Sequence, residues 1–252
     1  MSGHNRWSKI KHQKAAMGAS KGKVFTKVIK EITVAARLGG GDPDGNARLR
    51  SAIAAARENN MPGESITRAI KKGTGELEGV SYEEQTYEGY GPHGVAMIVT
   101  CLTDNKNRTA GEIRSIFTKS GGNLGESGSV GWMFERRGLI DVKAGPTEDA
   151  VMEVALEAGA VDVVVQEVGF EVRTEPNDLH KVMTALESKG WPLGASKLSW
   201  LPKEPMPLDL EIAQKIVKLV EVLEDNDDVQ DVYGGFEIGD EVAEKLAASS
   251  AC

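Results

Sequence analysis

The chain has 252 residues, of which 40% are hydrophobic and 27% charged, and it carries a formal net charge of -8. That length suffices for two or three domains with sizeable cores, while no apolar run approaches the ~20 residues needed to span a membrane. Two cysteines, Cys101 and Cys252, form neither a disulfide framework nor a zinc spacing, which fits a reducing compartment.

The charge is divided unevenly. Residues 1–72 hold fifteen Lys/Arg against five Asp/Glu, net +10, and residues 73–252 hold fifteen against thirty-three, net -18. The start is the most basic part: Arg6, Lys9, Lys11, Lys14, Lys21, Lys23, Lys27 and Lys30 all precede the first acid, Glu31. A localised cationic surface attracts polyanions whatever the total charge, because exposed charges are screened within ~10 Å. No apolar segment of the kind a secretory signal carries follows this start. Its lack of acids is shared with mitochondrial transit peptides, but it is lysine-dominated and runs into a packing helix.

From about Lys21 to Leu38 the apolar residues Phe25, Val28, Ile29, Ile32 and Ala36 recur at helical spacing. At about 100° per residue, Lys23, Lys27, Lys30 and Arg37 share the opposite face. Solvated faces usually mix signs, so the row points to phosphate contact. Trp7 stands within the basic run, placed either to stack on a base or to anchor the arm. Gly39-Gly40-Gly41 ends the helix, and Asp42–Asn46 is a turn able to cap the next one. Helices are expected over about 47–59 and 63–72, with Gly73 closing the second, and 73–81 reads as a linker. Arg48, Arg50, Arg57, Arg68, Lys71 and Lys72 extend the basic surface or, for the last two, serve the helix C-terminus.

From Tyr82 the period changes. Residues 94–102, GVAMIVTCL, read as a buried strand with EQTYEGY as its neighbour. Thr109 with Glu112 forms a capping box for a helix carrying Ile113, Ile116 and Phe117. At this helix start, Lys106 and Arg108 lie in the polar cluster Asp104–Thr109, which reads as a capping turn or as a phosphate contact by helix amides. Residues 137–201 then give strand, helix, strand, strand, helix and strand, the βαββαβ order of a ferredoxin-like fold. A helix at about 209–224 and a strand near DVQDVY follow three prolines and complete a sheet begun before the insertion.

Chemical motifs fail on context. Gly89–Gly94 matches G-x-G-x-x-G by letter but leads into a strand and contains Pro92. Residues 18–24 resemble a phosphate loop one residue short, with Val24 where Ser or Thr belongs. The calcium-loop start at Asp42, Asp44 and Asn46 has Ala47 and Ile53 where Gly and Glu are required. His4, His12, His93 and His180 lack ligand spacing. No catalytic residue, metal site or cofactor is expected.

The stretches GHNRW (3–7), residues 21–50, NNMP (59–62), RAIKKG (68–73), YEGYGPHG (87–94), DNKNRT (104–109) and GGNLGESGSVGWMF (121–134) together resemble the YebC family of "probable transcriptional regulators", which includes mitochondrial translational activators. The resemblance covers about residues 2–235. It implies an α+β, non-enzymatic protein of three domains: a three-helix N-terminal module (1–78), an α+β middle domain (79–136 plus 203–240), and an inserted βαββαβ domain (137–202), with a tail (241–252). Because the family pattern begins at residue 3, it also implies a cytoplasmic location. The expected function is a DNA-binding transcriptional regulator whose basic N-terminal surface contacts phosphates, with Arg6, Trp7, Lys9, Lys11, Lys14, Lys21, Lys23, Lys27, Lys30, Arg37, Lys106 and Arg108 as the nucleic-acid-binding residues. The alternative is a ribosome-associated translation factor that binds ribosomal RNA through the same surface; a protein-only adaptor with an acidic partner is the third. Neither a membrane nor a small-molecule substrate is expected.

Overall fold

The computed structural model describes residues 21–249. The N-terminal helices are α1 (Lys21–Gly39), α2 (Ala47–Glu58) and α3 (Gly63–Thr74). Their shared core is built from Ile32, Ala35 and Ala36 of α1, Leu49, Ile53 and Ala56 of α2, and Ile66 and Ala69 of α3. The buried Asn46 welds the first corner. Its Oδ1 accepts from the Leu49 N–H at 3.0 Å, capping α2, and its Nδ2 donates to the carbonyls of Ala35 and Gly40. Gly73 does not close α3 as expected; Gly75 does, at φ +83°. Gly73 lies inside the helix at a close crossing, where a Cβ would stand 2.4 Å from the Thr33 carbonyl oxygen of α1.

The central sheet follows: β1 (Glu83–Tyr90), β2 (Ala96–Thr103), α4 (Lys106–Lys119) and β3 (Asn123–Leu124), and later β8 (Met206–Leu208), α7 (Leu210–Glu224), β9 (Val229–Gly234), β10 (Phe236–Ile238) and α8 (Asp240–Ser249). Its four strands lie in the order β3-β1-β2-β9, and β8 pairs with β10 in a separate parallel ribbon. The glycine-containing turn at Pro92–Gly94 joins β1 to β2 as an antiparallel pair, which removes it from dinucleotide chemistry. β2 is apolar at all but Thr100 and Thr103 because both faces are covered. Val95 before it and Met97, Val99 and Cys101 on it meet Ile113 and Phe117 of α4 and the inner face of α7, while Ala96 and Ile98 meet Val130, Phe134 and Tyr233.

Between β3 and β8 runs β4 (Phe134–Val142), α5 (Glu148–Ala158), β5 (Ala160–Val165), β6 (Phe170–Thr174), α6 (Leu179–Ser188) and β7 (Leu193–Pro202). The strands form one antiparallel sheet in the order β5-β6-β4-β7, the ferredoxin-like arrangement that the βαββαβ order predicts. Its core is its own, centred on Ile140, Val151, Val172, Val182 and Leu186. The overall class is α+β. The stretch set apart as a tail is helical from Asp240 to Ser249, and Leu246 is buried in the central core.

Candidate nucleic-acid interface

The lysines of α1 meet the C-terminal end of α7. α7 ends at Glu224 and is followed by Asp225, Asn226, Asp227 and Asp228, so a carbonyl-rich, negatively polarised helix end runs straight into an acidic turn. The lysines of α1 cap it one after another. Lys23 donates to the Asp225 carboxylate at 2.5 Å and to its carbonyl at 3.3 Å, and Lys27 donates to the Glu224 carbonyl at 2.6 Å. Lys30 is buried and donates to the Asp228 carboxylate at 2.5 Å and to the Asp227 carbonyl at 2.9 Å, with the Tyr82 ring beside it. Val34, on the same stripe, is fully buried. Lys30 is therefore not part of an open cationic row: its long stem packs and its charge holds the N-terminal helices against the central sheet, whereas Lys27 is half-buried and Lys23 stays 41% exposed in a surface pair.

Asp228 gathers the polar motif at the start of α4. Arg108 donates to it at 3.0 Å and to Asp104 at 2.7 Å, and the buried Thr109 donates to it at 2.7 Å. Burial alone pushes the Asp228 carboxyl up, but the hydrogen bonds from Lys30, Thr109 and Arg108 and the Lys30 charge overcome this and hold it at about 2. Thr109 is thus a buried strut inside α4. The helix is capped instead by Asn105, whose side chain accepts from the Arg108 N–H at 3.1 Å. Lys106 pairs with Glu83 at 2.5 Å, and Arg37 donates to the Ser81 hydroxyl at 2.6 Å. Lys106, Arg108 and Arg37 all have partners within the chain.

Arg6, Trp7, Lys9, Lys11 and Lys14 lie outside the described residues, and Lys21 opens α1, with its backbone alone described. Of the later cations, Arg48 is taken up by Glu31, at 2.6 Å, and Glu84, at 2.7 Å. Arg57 near the end of α2 and Arg68, Lys71 and Lys72 on α3 are exposed. Arg37 of α1 is exposed as well, and Arg50 of α2 is half-buried with its guanidinium 3.5 Å from the His180 ring.

The sequence reasoning missed Asp225 and Asp228. Their signal was an acid run placed directly after a helix, where the dipole disfavours negative charge and only nearby cations make it tolerable. Among the described residues, no three His, Cys, Asp or Glu are grouped to hold a metal, and no helix is long and apolar enough to cross a membrane.

Comparison with known proteins agrees with this architecture. Residues 5–76 match the family model described as the TACO1/YebC protein N-terminal domain, and residues 82–236 match that of the TACO1/YebC second and third domain. A Myxococcus xanthus protein named "Probable transcriptional regulatory protein" is 60% identical over 98% of this chain and 99% of its own length. One of the same description from Geobacter sulfurreducens is 56% identical over 98% of this chain and 100% of its own. The crystal structure of a conserved hypothetical protein from Aquifex aeolicus, 50% identical, superposes with a TM-score of 0.80 over 88% of this chain and 92% of that one. The names given to these relatives denote regulators, not a class of enzyme. With both family models matched in order along its length, the chain belongs to the TACO1/YebC family.

Proposed function

We propose that this protein is a non-enzymatic regulator of gene expression that binds nucleic acid through its N-terminal helices and the basic segment before them. The observation that carries this is the charge asymmetry, +10 over residues 1–72 against -18 over the rest. Lys23, Lys27 and Lys30 of α1 are engaged at Glu224–Asp228, so the contacting groups are Arg57, Arg68, Lys71 and Lys72 together with the cations from Arg6 to Lys14. The acidic remainder repels phosphates and confines contact to one side. The relatives' names favour transcription, hence duplex DNA in the cytoplasm, as the target.

A second target, structured RNA such as that of the ribosome, is favoured by a specific observation. The helix that sequence periodicity offers for reading a groove, α1, is buried over most of its C-terminal half. Contact through the remaining Lys and Arg addresses phosphates and shape, and phosphates position a protein without specifying sequence. The test is binding of promoter duplex, random duplex and structured RNA at graded salt. Replacing Arg68, Lys71 and Lys72 with Ala should lower the salt slope by up to about 0.9 for each duplex phosphate no longer neutralised. An unchanged slope and affinity would remove α3 from the interface. A large preference for promoter over random duplex supports transcription, and retention on ribosomes at near-physiological salt supports translation.

A further inference from the structure

The glycine-rich loop between β3 and β4 is absorbed by neither the ion-pair network nor the basic helices, yet it is firmly built. Glu88 of β1 points its carboxylate into the loop and accepts the backbone N–H groups of Gly128 at 2.8 Å, Val130 at 2.8 Å and Gly131 at 2.6 Å. Burial pushes the Glu88 carboxyl up, but the three amides outweigh it and keep the group below the usual carboxylate range. The Glu88 carbonyl accepts the Gly125 N–H at 2.8 Å, and Tyr90 donates its hydroxyl to the Ser129 carbonyl at 3.1 Å. Val130 plugs the loop into the core beneath Ala96, Ile98 and Phe134.

What this scaffold presents is Trp132, 66% exposed, the largest side chain among the exposed apolar residues described. Its indole N–H donates to the Ser129 carbonyl at 3.1 Å. The one polar handle of the ring is therefore spent inside the loop, and so are the amides of Gly128, Val130 and Gly131. What remains to a partner is the ring face. The exposed residues just before it, Glu126, Ser127 and Gly128, are polar or lack a side chain, unlike the water-excluding rim of a protein–protein hot spot. A nucleobase needs no such rim, since stacking uses its own π-face and is tolerant of sequence.

We propose that Trp132 is a stacking platform for an unpaired nucleobase of the nucleic acid bound by this protein, and that Glu88 is the residue that positions it. This rests on the nucleic-acid-binding function proposed above and extends it: duplex alone does not satisfy the site. The platform is also remote from the N-terminal helices. Glu83, at their end of β1, and Glu88 are separated by about 17 Å of strand at ~3.3 Å per residue. One strand would have to cross that distance to engage both.

The test uses the full chain with a fluorescent single-stranded RNA, the DNA of the same sequence, and the duplex of each. Trp132→Ala should weaken single-strand binding about five-fold to a hundred-fold, the span that loss of one stacked base covers, with little change for duplex. Trp132→Phe should recover most of the loss. Glu88→Gln, which leaves the ring itself intact, should weaken single-strand binding in the same sense. The salt slope should be unchanged in Trp132→Ala, because the substitution leaves every cation in place, whereas the Arg68/Lys71/Lys72 variant should lower it. Single strands should quench tryptophan emission in the parent and less so in Trp132→Phe. The RNA and DNA arms decide which polymer supplies the base. If Trp132→Ala binds single strands as tightly as the parent while the α3 variant does not, the platform is overturned and the basic interface stands. Equal weakening for single strand and duplex would also overturn it, as would loss of a protein partner with nucleic-acid binding intact. If the parent chain binds none of these polymers, the proposed function itself fails.

Discussion

Lys30 and Asp228 stand 198 residues apart in sequence and meet at 2.5 Å, both buried. They join the basic N-terminal helices to the acidic body through a buried ion pair, beside the more exposed Lys23–Asp225 and Arg48–Glu84 pairs. Removing one partner of such a pair leaves the other charged and buried, which costs about 3–5 kcal/mol. Arg108 and Thr109 remain on Asp228, so Lys30→Met should fall near the lower end, read as a shift of the urea midpoint. Lys30→Met with Asp228→Leu should recover part of it. The Cys101 thiol provides a local reporter: burial, together with the Asp228 charge, pushes it up to about 12. In a Cys252→Ser background, Cys101 should resist thiol reagents and become reactive faster once Lys30 is replaced. A Lys30→Met chain as stable and as protected as its parent would show that the pair does not hold the helices in place.

The same carboxylate sets a pH dependence. Asp228 is held at about 2 against an ordinary 3.8. It binds its proton less readily folded than unfolded, so its contribution is fully present above about pH 4 and is lost as pH falls towards 2. The parent should therefore lose stability between pH 4 and 2 more steeply than Asp228→Asn, which has no group to titrate there. Parallel curves would exclude Asp228 from the acid transition.

Much of this architecture was legible in local pattern, and the failures share a cause. The apolar stripe of α1 is visible because Phe25, Val28, Ile29, Ile32 and Ala36 keep helical spacing. The partners of the lysines on its other face lie on Glu224–Asp228, some two hundred residues away, and no local periodicity encodes them. Thr109 with Glu112 satisfies the capping-box pattern, yet Asn105 caps α4 because Asp228 claims Thr109 from outside the helix. The last helix escaped notice because its sequence, DEVAEKLAAS, is alanine-rich and anchors through Leu246. β8 and β10 are three residues each, too short for a period. The partners of Lys23, Lys27 and Lys30 make the same point for the site: cations are readable in sequence, but their neutralisation is tertiary.

Gly73 and Gly75 give opposite reasons for the same residue. An alanine in a helix interior ordinarily gains about 1 kcal/mol over glycine. At Gly73 its Cβ would stand 2.4 Å from the Thr33 carbonyl oxygen and 2.7 Å from the Ala36 Cβ, so α1 and α3 must separate. Gly73→Ala should destabilise by about 1–3 kcal/mol, as overpacking does. Around Gly75 there is open space but φ is +83°, so Gly75→Ala should cost only about 1 kcal/mol through left-handed strain. Chemical denaturation of the two variants orders them; a stabilised Gly73→Ala would show that the crossing has room to spare.

The segment from Phe134 to Pro202 should fold on its own. These two residues face each other in the β4–β7 register, so the chain leaves the central sheet and returns to it within one antiparallel pair, about 5 Å between Cα atoms. The segment has a core of its own around Ile140, Val151, Val172, Val182 and Leu186. Its contacts with the rest include the Lys197–Asp231 pair at 3.3 Å, exposed and worth under about 1 kcal/mol, and the apolar packing of Phe134 and Trp200. Residues 134–202 expressed alone should fold with a cooperative urea transition, but of modest stability, since a domain this short buries little surface. The complementary chain, with Met133 joined to Lys203 through a short glycine linker, should also fold, because the Lys203 N–H already donates to the Met133 carbonyl at 3.0 Å. Circular dichroism and denaturation of both pieces decide it. A disordered spectrum for 134–202 would mean that Phe134 and Trp200 draw more from the central sheet than their number suggests, and that the two sheets fold as one.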